Sequence, residues 1–159
     1  MINRPARDQA AQALRRLISG QITNEEFEFS EPETSDQAVR AIYDTAWLIY
    51  DDYPVHKLTG RYRVSPDVKR EIIRWIVFLD GADEYIWPKI AWPGSDPRKR
   101  VRAGGAWIRR LLGQLHALSP DEAAAFLAAG DYDAWPFASR ADLKRAMRSP
   151  RRLSGKKAA

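Results

Sequence analysis

The chain contains no cysteine, only two histidines and two methionines among its 159 residues, and nine glycines of which only Gly104 and Gly105 adjoin. The lack of cysteine excludes disulfides, thiolate catalysis and cysteine-ligated zinc or iron–sulfur centres. No H-E-x-x-H spacing or similar ligand pattern occurs, so neither a metal nor a cofactor is expected. The phosphate-binding patterns G-x-x-x-x-G-K-[ST] and G-x-G-x-x-G and the nucleophile pattern G-x-S-x-G are missing too, which leaves no recognisable catalytic residue. Long apolar runs are also wanting. "WIVFL" (75–79) and "LLGQLHALSP" (111–120) are far shorter than the roughly 20 residues of a membrane span. Residues 1–17 carry Asp8 and several arginines and no apolar stretch of the secretory kind. The expectation is a cytoplasmic protein without membrane association.

What the chain does have is material for a core. Hydrophobic residues make up 45% of it and aromatics 11%, and 159 residues suit one domain. Its net charge of +5 is unevenly spread: residues 1–60 hold 6 Lys/Arg against 10 Asp/Glu, and the remainder holds 20 against 11. An acidic front and a basic back can pair with each other or offer two faces to partners.

Apolar spacing and caps predict five or six helices. Ala6, Ala10, Ala13, Leu14, Leu17 and Ile18 share one face of a helix over about 5–18, which Gly20 ends. Thr23 and Glu26 form a capping box opening a short turn that carries Phe27 as an anchor. The acids from Glu25 to Asp36, with Pro32 among them, read as a surface loop. Thr34 with Gln37 reads as the cap of a long helix reaching about Asp52, where Pro54 stops it. Residues 55–64 fit either a small hairpin or an ordered loop. Ser65-Pro66 opens a helix to about Leu79 whose wide apolar stripe marks it as central. Asp96-Pro97 opens another, carrying Trp107, Ile108, Leu111, Leu112, Leu115 and Leu118. Ser119-Pro120-x-Glu122 caps a short helix ended by Gly130, "GDYDAWPF" (130–137) reads as extended, and Ser139 with Asp142 caps a last helix to about Met147. The expected architecture is an all-α, bundle-like single domain over 1–148, with a loose basic tail over 149–159.

Three groups of side chains are candidates for function. Three of the six tryptophans precede proline: Trp87, Trp92 and Trp135. The residue before proline favours extended backbone, so these rings either pin irregular segments to the core or line an exposed aromatic groove; the first reading is the simpler. Arg98, Lys99, Arg100, Arg102, Arg109 and Arg110 form a basic run, joined by Arg61, Arg63, Lys69, Arg70 and Arg74, that fits either phosphate binding or a solvated face. Asp51, Asp52 and His56 form a polar cluster at a helix end, suited to metal or acid–base work, though acids before a proline more often serve the next loop. Asp80, Asp83 and Glu84 lack a visible partner, and His116, beside an apolar face, reads as structural.

The stretches "SGQITNEEFE", "YDDYPVHKLTGRY", "VFLDGADEYIWP" and "GDYDAWPF" together, with their YxWP and GDxxxWPF patterns, resemble an uncharacterised group of short bacterial proteins of unknown function. The resemblance covers most of the chain. It implies a bacterial source and a self-standing small domain, and carries over no activity, cofactor or catalytic residue. The function expected from the residues is binding of another protein, in the manner of an adaptor or a toxin-neutralising partner. The alternative is nucleic-acid binding through the basic back half, and a third reading is an enzyme built on Asp51, Asp52 and His56.

Overall fold

The computed structural model describes residues 1–50, 54–100 and 118–148. Among these residues the protein is all-α, with six helices and no paired strands. They are α1 (Arg4–Ile18), α2 (Asn24–Glu28), α3 (Gln37–Ala46), α4 (Pro66–Asp80), α5 (Pro120–Ala128) and α6 (Arg140–Met147). Single 3-10 turns occur at Gly60–Tyr62, Pro97–Lys99 and Tyr132–Ala134.

Each helix starts where a short polar side chain satisfies amides that lack an intrahelical acceptor. Thr23 and Ser119 complete reciprocal capping boxes with Glu26 and Glu122. Ser65 and Ser139 cap α4 and α6. At the start of α3 the cap is Asp36, which accepts from Ala38 N, rather than Thr34. Thr34 instead turns its hydroxyl to Asp36 N and to the amide of Asn3. α3 is also shorter than its apolar period suggests. After Ala46 the amides of Leu48 and Ile49 bond three residues back instead of four, to Thr45 and Ala46, and leave Trp47 and Leu48 on the surface. Residues 54–64 form no hairpin; they are an ordered loop pinned by Leu58 and His56, which are buried, and by the amide of Asn24, which donates to the carbonyl of His56 at 3.0 Å.

α4 is the central element. It packs chiefly on α1 and also meets α3 and α6. Ile72, Trp75, Ile76, Val77, Phe78 and Leu79 are buried along it, facing Ala10, Leu14 and Leu17 of α1 within one continuous core. Polar contacts reinforce this pair: Arg4 donates to the carbonyls of Gly81 and Leu79 at the end of α4, and Arg15 bonds Asp80. A cation there complements both the orphan carbonyls and the helix dipole.

The acidic front does not lie wholly on the surface. Asp36 is 2% exposed and Arg7 1%, and the two form an ion pair at 2.7 Å. Arg7 also donates to the carbonyl of Asp83 at 2.8 Å, and its guanidinium lies over the ring of Phe78. Asp36 further accepts from Asn3 N at 2.9 Å. All three guanidinium nitrogens of Arg7 thus donate, and the pair ties the starts of α1 and α3 to the chain leaving α4.

The stretch 130–137 is compact rather than extended. Asp131 caps the 3-10 turn by accepting from Asp133 N, and its own amide reaches the carbonyl of Ala138. Arg74 of α4 donates to the carbonyls of Asp133 and Trp135. Trp135, Pro136 and Phe137 are thereby held in the core, the bond between Trp135 and Pro136 being cis. No helix among the described residues is long and apolar enough to cross a membrane.

Candidate functional site

The Trp-Pro segments divide into two kinds. Trp87 is 1% exposed, packs on Phe126 at 4.9 Å and donates from Nε1 to the carbonyl of Pro136 at 3.0 Å. Trp135 meets Trp75 edge to face at 5.9 Å and donates to the Tyr85 hydroxyl at 3.3 Å. Both act as anchors holding irregular chain on the helices. Trp92 is half-buried and has φ +47°, not the extended backbone expected before a proline. A local turn holds it there. Ser95 N bonds the carbonyl of Trp92, and Arg100 donates to the carbonyls of Ala91 and Trp92 at 2.8 and 3.1 Å.

Gly94 fixes the same turn to α3. Its amide donates to Thr45 Oγ1 at 3.0 Å, and Thr45 donates onward to the carbonyl of Ala41. A Cβ at position 94 would run into the Thr45 methyl and lie 3.0 Å from the Trp135 ring. Gly94→Ala is therefore expected to destabilise the protein by about 1–3 kcal/mol through forced repacking. A urea melt checks this, and an unchanged midpoint would contradict the contact.

The segment so anchored forms one wall of a cleft of about 650 Å³. The opposite wall is the loop after α2 and the outer face of α3. Its apolar surface comes from Pro32, Ala41, Tyr85, Pro88, Ile90 and Pro93. Its charged groups are Glu31 and Glu33 from the loop, Arg40 and Asp44 one turn apart on α3, and Lys89 opposite. The loop is held in shape by Gln9, which donates to the carbonyl of Ser30, by Arg40, which donates to the carbonyl of Thr34 at 3.0 Å, and by the contacts of Thr34 described above. The size lies within the range of ordinary ligand clefts.

Electrostatics mark the carboxylates of this cleft. Partial burial, and then the nearby charge of Asp44, push the Glu31 carboxyl above its ordinary value, with Arg40 opposing. Partial burial likewise raises Asp44, against Lys89 and Arg40. Glu31 and Asp44 are both exposed at the cleft, and among the described residues neither makes an ion pair or a side-chain hydrogen bond, a property they share with Glu25, Glu28, Glu33, Glu84 and Asp121. Tyr85 is pushed up by burial and is fixed by Trp135, so it serves as a rigid part of the wall.

The other sequence candidates are placed differently. Arg98 is turned onto Asp96 at 2.9 Å and Asp133 at 3.6 Å, and lies over the Tyr132 ring. Arg100 serves the turn at Trp92, while Lys99 is exposed. Arg70 and Arg74 pair with Asp67 and Glu71 on their own helix. Arg102, Arg109, Arg110, Trp107 and His116 lie outside the described residues, as do Asp51 and Asp52. His56 is buried against Tyr62, with its Nδ1 2.6 Å from the carbonyl of Pro54 and its amide donating to Asn24. That is the arrangement of a loop support. Asp80 pairs with Arg15, and Asp83 with Arg145 at 3.2 Å. The described residues contain no group of three or more acids and histidines placed to hold a metal ion.

Sequence reasoning did not single out Glu31, Asp44, Tyr85 or Lys89, because the cleft joins segments some fifty residues apart. The available signal was local: acids alternating with Pro32 on one side, and closely spaced Pro88 and Pro93 on the other. No protein-family model, curated protein or solved structure matches this chain.

Proposed function

We propose that this chain is a small bacterial, cytoplasmic binding protein that holds another protein in the cleft between residues 31–44 and 85–93, in the manner of an adaptor or a toxin-neutralising partner. The observation that carries the reading is the cleft itself: an apolar surface on anchored chain, with the carboxylates of Glu31 and Asp44 at its edge making no ion pair among the described residues. Such a combination of apolar contact and charge complementarity suits protein recognition. The back half supports the same reading by contrast. Among the described residues, Arg70, Arg74, Arg98 and Arg100 are each engaged by acids or carbonyls of the protein itself, which favours the cleft over a phosphate-binding face.

A photo-reactive phenylalanine placed at Lys89 tests this in cells of the source organism, with Ala124 on the exposed side of α5 as control. The expected result is a discrete protein adduct from position 89 and none from 124, followed by a purified pair of fixed stoichiometry. Equal labelling from both positions, or none from 89, would contradict the proposal.

A further inference from the structure

We propose, building on the binding role above, that the cleft receives an extended peptide segment of the partner that carries one arginine or lysine flanked by apolar residues, the cation lying between Glu31 and Asp44. Both carboxylates line the cleft, close enough for the charge of Asp44 to act on Glu31, and among the described residues neither makes an ion pair or a side-chain hydrogen bond, Arg40 and Lys89 acting on them only from a distance. Two neighbouring carboxylates exposed at the edge of an apolar cleft gain from a shared cation, and a guanidinium or ammonium has donors enough for both. Tyr85, Pro88 and Ile90 in the same lining offer an apolar surface, Pro88 adding no backbone donor, which suits the side chains on either side of that cation.

The other charges of the cleft limit the occupant. Arg40 is fixed on the carbonyl of Thr34, and Lys89 stands on the opposite wall. Together they offset much of the negative charge of Glu31, Glu33 and Asp44. A second cation next to the first would meet Arg40 or Lys89, so the site favours a single basic residue over a polybasic run. The same two cations set the cleft apart from a general acidic surface, which takes any polycation.

An oriented library of nonapeptides, randomised at every position and passed over the immobilised full chain, is the test. The bound pool is expected to be enriched about threefold or more in Arg or Lys at one position, with Pro, Leu, Ile or Val adjacent, and depleted of paired basic residues. In Glu31→Gln/Asp44→Asn the basic enrichment should vanish while the apolar preference persists, and a peptide from the bound pool should bind about tenfold more weakly. An unchanged melting profile of that variant excludes unfolding as the cause. No basic enrichment, enrichment that survives the double substitution, or a preference for polybasic peptides would overturn the inference. The protein-binding role is tested separately by the adduct at position 89: an adduct without basic enrichment sinks this inference alone, and the loss of that adduct sinks the role itself.

Discussion

Replacing Arg7 with alanine is expected to destabilise the fold by about 3–5 kcal/mol, the range for removing one partner of a buried ion pair. The loss comes less from the missing attraction than from what remains. Asp36 would keep its charge in a site that is 2% exposed, with only the amides of Asn3 and Ala38 to oppose it. The carbonyl of Asp83 would lose its donor as well. Substituting both residues with apolar ones, Arg7→Met with Asp36→Leu, is expected to recover only part of the loss, because Asp36 is also the cap of α3. Urea denaturation of the two variants measures this, and an Arg7→Ala midpoint equal to that of the parent protein would contradict the role of the pair. The same pair sets an acid dependence. Burial works against the Asp36 charge, but the hydrogen bonds from Arg7, Asn3 and Ala38 and the Arg7 charge outweigh it and hold the carboxyl below its ordinary value. A lowered folded-state value means that the stabilisation is complete above the unfolded carboxyl's titration range and is lost as pH falls through the folded value. Asp36→Asn should therefore flatten the acid limb of the stability profile.

Trp87→Ala is expected to have an effect of similar size, about 3–5 kcal/mol, because it empties a fully buried indole site. Phe126, Tyr132 and the turn at Gly130 all pack around this ring, and the carbonyl of Pro136 depends on its Nε1. Trp87→Phe separates the two contributions. It keeps most of the apolar filling and removes the hydrogen bond, so about 1–3 kcal/mol should be lost. Because Trp87 sits within the 85–93 wall, the alanine variant should also weaken partner binding under conditions where it remains folded. Chemical denaturation and near-ultraviolet circular dichroism give the first readout and the position-89 adduct yield the second. An alanine variant with full stability would show that Trp87 is not an anchor.

The helices were legible in the sequence where a cap and an apolar stripe agreed. Ser65-Pro66 with its stripe to Leu79, Ser119 with Glu122, and Ser139 with Asp142 each start the helix they announce. Where two caps competed, at Thr34 and Asp36, spacing alone favoured the wrong one, since the choice depends on Arg7 and Asn3 some thirty residues away. The end of α3 was misread for a related reason. Ile49 and Tyr50 do reach the core, which keeps the helical period in the sequence, but they do so from a turn. "GDYDAWPF" looked extended because of Trp-Pro, whereas Asp131 and Arg74 fold it into a compact plug. The cleft was invisible for the most basic reason: its walls are joined by Gly94 on Thr45, and Tyr85 is fixed within one of them by Trp135, contacts that no local pattern encodes.

The proposed recognition between residues 31–44 and 85–93 has a direct spectroscopic readout. Titrating the nitrogen-15-labelled chain with a peptide from the bound pool, and following the backbone amides by NMR, tests it most directly. Shifts are expected to concentrate on the loop after α2, the outer face of α3 and the strap from Tyr85 to Ala91, with α5 and α6 undisturbed. Shifts centred instead on Arg98 to Arg100 and the outer face of α4 would contradict it.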